Sequence, residues 1–154
     1  MSAADLVVRT ARADERQALE ALQMRASTAW PDYREQLAAH PDAVSIPAEQ
    51  MALAFVAEAG GQVLGFGLVL PPQDGVAELD AMFVEPDAWR GGIGWALVRE
   101  SARRAAAAGA GALHVVANPR AVAFYEACGF VLEGESETQF GPAPTMRLAL
   151  GPQA

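Results

Sequence analysis

The chain of 154 residues has no lysine, one cysteine and two histidines. The single cysteine, Cys128, excludes an internal disulfide, and with only His40 and His114 beside it no ligand cluster forms at zinc spacing. Without lysine there is no Gly-Lys-Ser/Thr ending of a P-loop. We therefore expect no metal cofactor and no P-loop. Cys128 lies on an apolar helix face with no neighbouring histidine, which indicates a packing residue and not a nucleophile.

Long apolar runs are lacking as well. No stretch approaches the roughly 18 residues that a membrane helix needs. The first residues, Met1–Asp5, have neither the basic region nor the apolar stretch of a signal peptide. We expect a soluble cytoplasmic protein with no membrane partner.

Positive charge is scarce, because 11 basic residues stand against 19 acidic ones and give a formal net charge of −8. The arginines are scattered, whereas phosphate backbones are bound by clustered basic side chains, so we expect no nucleic-acid partner. An acidic field attracts cations, although net charge also serves solubility.

The composition, 52% hydrophobic and 19% charged, is that of a globular protein, and the length suits one domain, residues 1–154. The patterning predicts the order β-α-α-β-β-β-α-β-α-β-β. The strands are predicted at Leu6–Thr10, Leu53–Ala59, Val63–Leu70, Val76–Val84, Leu113–Ala117, Phe130–Glu133 and Thr145–Leu150. The helices are predicted from Asp14 onward, from Pro31 to His40, and at Gly92–Ala108 and Pro119–Cys128.

Several boundaries depend on turn chemistry. Asp14 is expected to cap the first helix, whose buried face is either Ala18, Leu22 and Arg25 or Leu19, Leu22 and Ala26. Pro31-Asp32 with Glu35 resembles a capping box. Gly60-Gly61 and Asp74-Gly75 indicate tight turns, and Pro71-Pro72 is expected to stop a strand. Residues 41–50 and 133–144 are predicted as loops.

The Val76–Val84 segment alternates between two faces. Ala77, Leu79, Ala81 and Phe83 share one face, and Glu78, Asp80, Met82 and Val84 share the other. Two carboxylates therefore lie on one face of this strand, either solvated or ready to accept a proton.

A glycine-rich turn follows that strand, in the stretch Trp89-Arg90-Gly91-Gly92-Ile93-Gly94-Trp95. Bare backbone N–H groups at a helix start form an anion site suited to a pyrophosphate, and Arg90 adds a charge. The same glycines are equally typical of close helix packing. A dinucleotide fingerprint is excluded because Leu97 stands where its third glycine is needed.

The second motif is Asn118-Pro119-Arg120-Ala121-Val122-Ala123-Phe124-Tyr125, followed by Gly129-Phe130. Asn118 at the N-cap and Pro119 at the first helical position predict a helix start. Phe124, Tyr125 and Cys128 share a face, so on local physics alone Tyr125 is equally well an interfacial packing residue.

Together the two motifs resemble the GNAT superfamily of acetyltransferases. In that family a Gln/Arg-x-x-Gly-x-Gly/Ala turn leads into a helix, and Asn-x-x-Ala-x-x-Phe-Tyr follows before Gly-Phe. The resemblance covers Ala77–Gly134 closely, with one departure: Trp89 stands at the first motif position, and Arg90 one place later. It implies an α/β (α+β) fold, with a central mixed, mostly antiparallel sheet of six or seven strands flanked by about four helices.

The resemblance also implies acetyl-CoA as cosubstrate and an amine, in a small molecule or a peptide, as acceptor, with a homodimer left open. The residues implied in coenzyme binding are Met82, Phe83, Val84, Arg90, Gly91, Gly92, Ile93, Gly94, Trp95, Asn118, Phe124 and Tyr125. Asn118 would contact the pantetheine arm or cap the helix.

The resemblance implies direct attack in a ternary complex. Tyr125 would protonate the leaving thiolate, and Glu78 or Asp80 would take the proton of the amine. Acceptor contacts would come from Trp30 and Tyr33 or from Glu133, Glu135 and Glu137, which are equally well surface residues. The alternatives are a non-catalytic acyl-CoA-binding or regulatory module and a domain without a ligand.

Overall fold

The structure, a computed structural model, describes residues 6–31 and 34–151. Seven strands are present in this part of the chain: β1 Val7–Thr10, β2 Ala54–Ala59, β3 Gln62–Gln73, β4 Val76–Val84, β5 Ala112–Val116, β6 Val131–Thr138 and β7 Gly141–Ala149. The α-helices of the described residues are α1 Arg16–Thr28, α2 Arg34–Ala39, α3 Ile93–Ala107 and α4 Val122–Ala127. The predicted order of strands and helices is confirmed.

The strands form one sheet in the order β1-β2-β3-β4-β5-β7-β6. β4 and β5 pair in parallel, and the pairs β1–β2, β2–β3, β5–β7 and β6–β7 are antiparallel. A parallel pair needs a long crossover, which α3 supplies between β4 and β5. The prediction of a mixed, mostly antiparallel sheet of six or seven strands is confirmed.

By compactness the chain divides into two units. One runs to Leu68 and includes Ala81–Leu97, and the other holds Val69–Asp80 together with the chain from Val98 onward. The boundaries between the two units lie within β3, within β4 and within α3.

In the first unit, the buried face of α1 is Leu19, Leu22 and Ala26, which decides between the two predicted faces. Glycine on β3 permits close packing, because a Cβ at Gly67 would lie 2.6 Å from the Phe55 ring. Any side chain there would force the ring to move.

The start of α1 differs from the prediction. A 3₁₀ turn at Ala13–Glu15 precedes the helix, and Asp14 makes no capping hydrogen bond. Glu15 serves the turn instead, because its carboxylate accepts a hydrogen bond from the backbone N–H of Arg12 at 2.7 Å. Glu15 also accepts two from Arg9, at 3.0 and 2.9 Å, so a partly buried ion pair strengthens this entry into the helix.

Three further boundaries were wrong. Pro71 and Pro72 lie inside β3, where β2 pairs only with Gln62–Leu68, so their missing N–H groups cost no bond to β2. The predicted loop at 41–50 contains 3₁₀ helices at Pro41–Val44 and Ala48–Leu53. The predicted loop at 133–144 is mostly the β6–β7 hairpin. The capping box at Pro31-Asp32 falls partly outside the described residues.

In the second unit, Leu113, Val115 and Met146 of β5 and β7 are buried. The helical end at Gly129 takes a φ of +102°, the left-handed conformation predicted for a glycine there. Because successive residues of a strand point to opposite faces, the polar residues of β4 and β5 lie on the face opposite this core.

Candidate active site

The alternation predicted for β4 is seen in burial from Ala77 to Asp80, since Ala77 and Leu79 are buried while Glu78 and Asp80 are at least partly accessible; the four residues after Asp80 are all partly accessible. A strand places its odd and even positions on opposite faces. The local fold thus brings the two carboxylates to one accessible face.

Glu78 forms a short hydrogen bond with His114. Their strands run parallel with Glu78 opposite His114, and the His114 Nδ1 to Glu78 Oε1 distance is 2.6 Å. The Glu78 side chain is 34% exposed and that of His114 is 22% exposed. Burial raises the pKa of Glu78, the hydrogen bond and charge of His114 act to lower it, and the charge of Asp80 raises it.

Sequence reasoning missed His114. Its signal was the alternation of β5, where Leu113 and Val115 are apolar and His114 lies between them. That signal becomes useful only when β5 is known to pair with β4 in this register.

The same face continues onto β7 and β6. Arg147 lies opposite His114 on β7, and its Nε donates to Glu133 Oε1 at 2.7 Å. Glu133 is therefore engaged within the sheet, whereas Glu135 and Glu137 of β6 are exposed.

Asp80 is the second carboxylate of the pair. Much of its surface is accessible, yet enough protein surrounds the carboxyl for desolvation to raise its pKa. It has no hydrogen-bond or ion-pair partner among the described residues. Asp80 is consequently a second candidate to accept a proton.

Tyr125 on α4 is 6% exposed, and its ring packs edge-on against Phe124 and Phe130 at centroid distances of 5.4 and 5.2 Å. Burial raises its pKa, as does the charge of Cys128. Within the described residues the hydroxyl has no hydrogen-bond partner, and no buried side-chain oxygen there is left without one. The hydroxyl therefore reaches solvent and stays protonated, as a proton donor must.

Asn118 caps the turn before α4. Its Oδ1 accepts a hydrogen bond from the N–H of Arg120 at 2.9 Å, and a 3₁₀ turn at Pro119–Ala121 leads into the helix. The capping alternative is thus realised. Cys128 is partly buried, which raises the pKa of its thiol and supports its interpretation as a packing residue.

The glycine turn lies between β4 and α3. Arg90 and Gly92 adopt positive φ values of +69° and +84°, and Gly92 O accepts the N–H of Ala96 as α3 begins. The first N–H groups of a helix have no intrahelical partner. Those of Ile93, Gly94 and Trp95 belong to this set, so backbone donors lie where the phosphate site was expected.

Trp89 fastens this turn to the strand. Its indole Nε1 donates to Val84 O at 2.9 Å, and its ring stacks on Trp30 at 5.0 Å and 14°. Trp89 thus holds the turn through the last carbonyl of β4, and the exposed Arg90 is left to supply positive charge.

Beside the turn is a cleft of about 590 Å³. Arg25 and Glu85 on its wall form an ion pair between α1 and the segment after β4, with Nε to Oε1 at 3.0 Å. The polar wall also includes Asp87 and Arg90. This cleft offers charges of both signs next to the helix start.

The residues at the end of β4, Met82, Phe83 and Val84, are all partly accessible. The ladder with β5 takes up Val76–Leu79 of β4 and ends there. Phe83 packs against Phe66 at 5.8 Å, and a Cβ at Gly65 would lie 2.9 Å from the Phe83 carbonyl oxygen. The backbone of this half of β4 is held in place from the β3 side.

Among residues 6–31 and 34–151, no group of three or more His, Cys, Asp or Glu side chains gathers as a metal site. None of the helices in these ranges is long and apolar enough to span a membrane. Tyr33 lies outside the described residues.

The sequence from residue 16 to residue 130 matches the model of the acetyltransferase (GNAT) family. No curated protein matches it. Ard1 from Thermoplasma volcanium has a similar structure, with a TM-score of 0.74 and 18% identity over 96% of this chain and 99% of that one.

Two further solved structures are similar. The PaiA N-acetyltransferase from Thermoplasma acidophilum, in complex with coenzyme A, has a TM-score of 0.75 and 16% identity over 94% of this chain and 98% of its own. The ribosomal-protein-S18-alanine N-acetyltransferase from Escherichia coli has a TM-score of 0.70 and 20% identity over 97% and 96%. At these identities the likeness shows a common fold.

Proposed function

The chain belongs to the acetyltransferase (GNAT) family, and from that premise we propose that it transfers the acetyl group of acetyl-CoA to an amine by direct attack in a ternary complex. We further propose that residues 1–154 act as one acetyltransferase domain. The family match across residues 16–130 and the nearly complete coverage of similar structures support this.

The observation that carries the proposal is the half-buried carboxylate of Glu78 on β4. An amine acceptor is protonated at neutral pH and must lose a proton before it attacks. Burial raises the pKa of Glu78 and makes it a better proton acceptor while His114 helps to keep it ionised. Glu78 is therefore the first choice of general base, and Asp80 the second.

In the proposed reaction the amine nitrogen attacks the thioester carbonyl carbon, and the carbon–sulfur bond then breaks. The thiolate of coenzyme A takes a proton from the Tyr125 hydroxyl, and Glu78 or Asp80 takes the proton that the amine gives up. The accessible hydroxyl of Tyr125 supports this role.

For acetyl-CoA we propose that the backbone groups of Met82, Phe83 and Val84 contact the pantetheine arm. The N–H groups at Gly92, Ile93, Gly94 and Trp95, with the side chain of Arg90, would bind the pyrophosphate, and Gly91 keeps the turn open. A Cβ at Gly91 would lie 3.2 Å from the Ala88 carbonyl oxygen, which supports a need for glycine. Asn118 and Phe124 complete the proposed coenzyme-binding set.

The function is tested by release of free thiol from acetyl-CoA, corrected for hydrolysis, across polyamines, aminoglycosides, amino acids and peptide N-termini. Peptides beginning with alanine belong in the panel because one similar structure is an alanine N-acetyltransferase. An enzyme gives amine-dependent thiol release. A non-catalytic acyl-CoA-binding module gives none while acetyl-CoA still raises its Tm, and a domain without a ligand shows neither effect.

The base is tested with Glu78→Gln, for which Asp80→Asn is the matched control. Loss of the base should move the rising limb of the pH–rate profile to higher pH. Activity should partly recover at high pH, where free amine is abundant. If Asp80→Asn alone gives this signature, Asp80 is the base. If neither variant changes the profile, the amine loses its proton to solvent.

A further inference from the structure

We propose that His114 is a positioning residue for the general base, which holds the Glu78 carboxylate by its Oε1 and leaves Oε2 to accept the proton of the amine. This inference rests on the proposed function, since it takes Glu78 as the base.

The contact is specific in its geometry. The 2.6 Å distance joins residues that lie directly opposite each other on paired strands, so the backbone register brings the two side chains within reach of each other. An imidazole that carries a proton on Nδ1 donates it in a hydrogen bond to the ionised carboxylate. This hydrogen bond holds the ring plane against Oε1.

Glu78 needs such a partner because of its surroundings. Desolvation by burial favours the protonated carboxyl, and a protonated carboxyl cannot accept a proton from the amine. Asp80 on the same strand adds a like charge and acts in the same direction. The hydrogen bond from His114 opposes both influences and keeps the base in its working form.

The other charged groups on this face of the sheet do not hydrogen-bond the Glu78 carboxylate. Arg147, opposite His114 on β7, is paired with Glu133 of β6 at 2.7 Å. Among the described residues, His114 is the sole hydrogen-bond partner of Glu78. The charged and titratable groups around the pair are therefore Asp80 on β4, Arg147 on β7 and Glu133 on β6.

The first test uses the protein without substrate. Long-range ¹H–¹⁵N spectra distinguish the tautomers of the two histidines, and the exposed His40 serves as internal reference. We expect His114 to populate the Nδ1–H tautomer and to lose this preference in Glu78→Gln, while His40 is unchanged. An Nε2–H tautomer for His114 in the wild type would overturn the inference.

The second test compares two substitutions by the pH dependence of kcat/KM. His114→Leu removes the donor, and His114→Asn keeps an N–H near the position of Nδ1. We expect the acidic limb of the profile to move to higher pH in His114→Leu, because the influences that lower the pKa of Glu78 are lost. His114→Asn should return the limb toward its original position. Matching Tm values would show that both variants are folded.

The outcomes separate the two proposals. A wild-type profile in His114→Leu would overturn the positioning role and leave the proposed function standing. Equal losses in His114→Leu, His114→Asn and Glu78→Gln would make His114 itself the base, which also overturns the inference. Absence of turnover with every amine would overturn the proposed function and, with it, the role of His114.

Discussion

Tyr125 combines a ring packed between Phe124 and Phe130 with a hydroxyl that reaches solvent. The packing fixes the direction of the phenol, whose pKa is raised by burial. Removal of the hydroxyl alone should therefore affect proton donation and little else.

We predict that Tyr125→Phe lowers kcat by roughly 10²–10⁴, the usual range for general acid catalysis. The affinity for acetyl-CoA, measured by calorimetry, should stay nearly unchanged because the ring and its packing remain. Cys128→Ala, on the same helix, is the control and should retain kcat. Full activity in Tyr125→Phe would return this residue to a packing role.

A second group of residues concerns stability and not chemistry. Arg9 of β1 donates to Glu15 at 3.0 and 2.9 Å and to Glu58 of β2 at 3.1 Å. The hydrogen bonds from Arg9 lower the pKa of Glu15 from 4.5 to about 2. The ionised form of Glu15 thus stabilises the entry into α1.

We predict that the wild type loses on the order of 2 kcal/mol from Glu15 as pH falls from about 4.5 to about 2, because a carboxyl with a lowered pKa stabilises the fold only while it is ionised. Glu15→Gln should be less stable at neutral pH and should lack this part of the acid loss. Urea unfolding at several pH values measures it. Glu49→Gln, an exposed change of equal charge, should follow the wild type.

At the scale of elements, the junction of β4 and α3 is the part most constrained by local geometry. Trp89 ties the turn to the last carbonyl of β4, and Gly92 begins α3 with a φ of +84°. A side chain at that φ is strained even where space is open. The orientation of the first N–H groups of α3 therefore depends on glycine here.

We predict that Gly92→Ala weakens acetyl-CoA binding several-fold or more, because relief of the strain turns the N–H groups away from the phosphates. Gly75→Ala is a matched control, since Gly75 has a φ of +80° and, like Gly92, no atom within 4 Å of an added Cβ. Both variants should lose similar stability in thermal melts. Calorimetry should show reduced affinity for Gly92→Ala only, and equal affinities would place the phosphate site elsewhere.

The acidic residues of the β6–β7 hairpin differ in whether they form an ion pair. Glu133 is bound to Arg147, whereas Glu135 and Glu137 remain exposed on the strand. Glu135 and Glu137 are therefore the acids of this hairpin that are not paired with Arg147.

At the scale of the whole molecule, the net charge of −8 sets the sign of the long-range field. If that field helps to hold a cationic acceptor, we predict that the apparent KM for a basic amine rises as salt is increased from about 0.01 to 0.15 M, where the screening length falls from about 30 to 8 Å. Steady-state kinetics with a polyamine measure this. A neutral amine should show no such trend, and a best substrate that is neutral or anionic would remove the idea.

Much of the fold was predicted from the alternation of side chains and from the residues at tight turns. Strand alternation at Val76–Val84 and the glycine turns at Gly60-Gly61 and Asp74-Gly75 are local features, so the sequence alone predicted them. The boundaries that failed depended on partners distant in sequence. Pro71 and Pro72 are tolerated in a strand because the ladder with β2 stops at Leu68, and residues 133–144 are a hairpin because β6 and β7 pair there.

The sequence by itself showed the resemblance to the family and the order of elements, because motif spacing and side-chain alternation are properties of short segments. Through that resemblance it also proposed Glu78, Asp80 and Tyr125 as candidates. Only the tertiary structure placed His114 against Glu78, removed Glu133 from the free acids and fastened Trp89 to Val84. Those contacts depend on which strand lies next to which and in what register, or on how a loop returns to a strand. A linear pattern does not specify either.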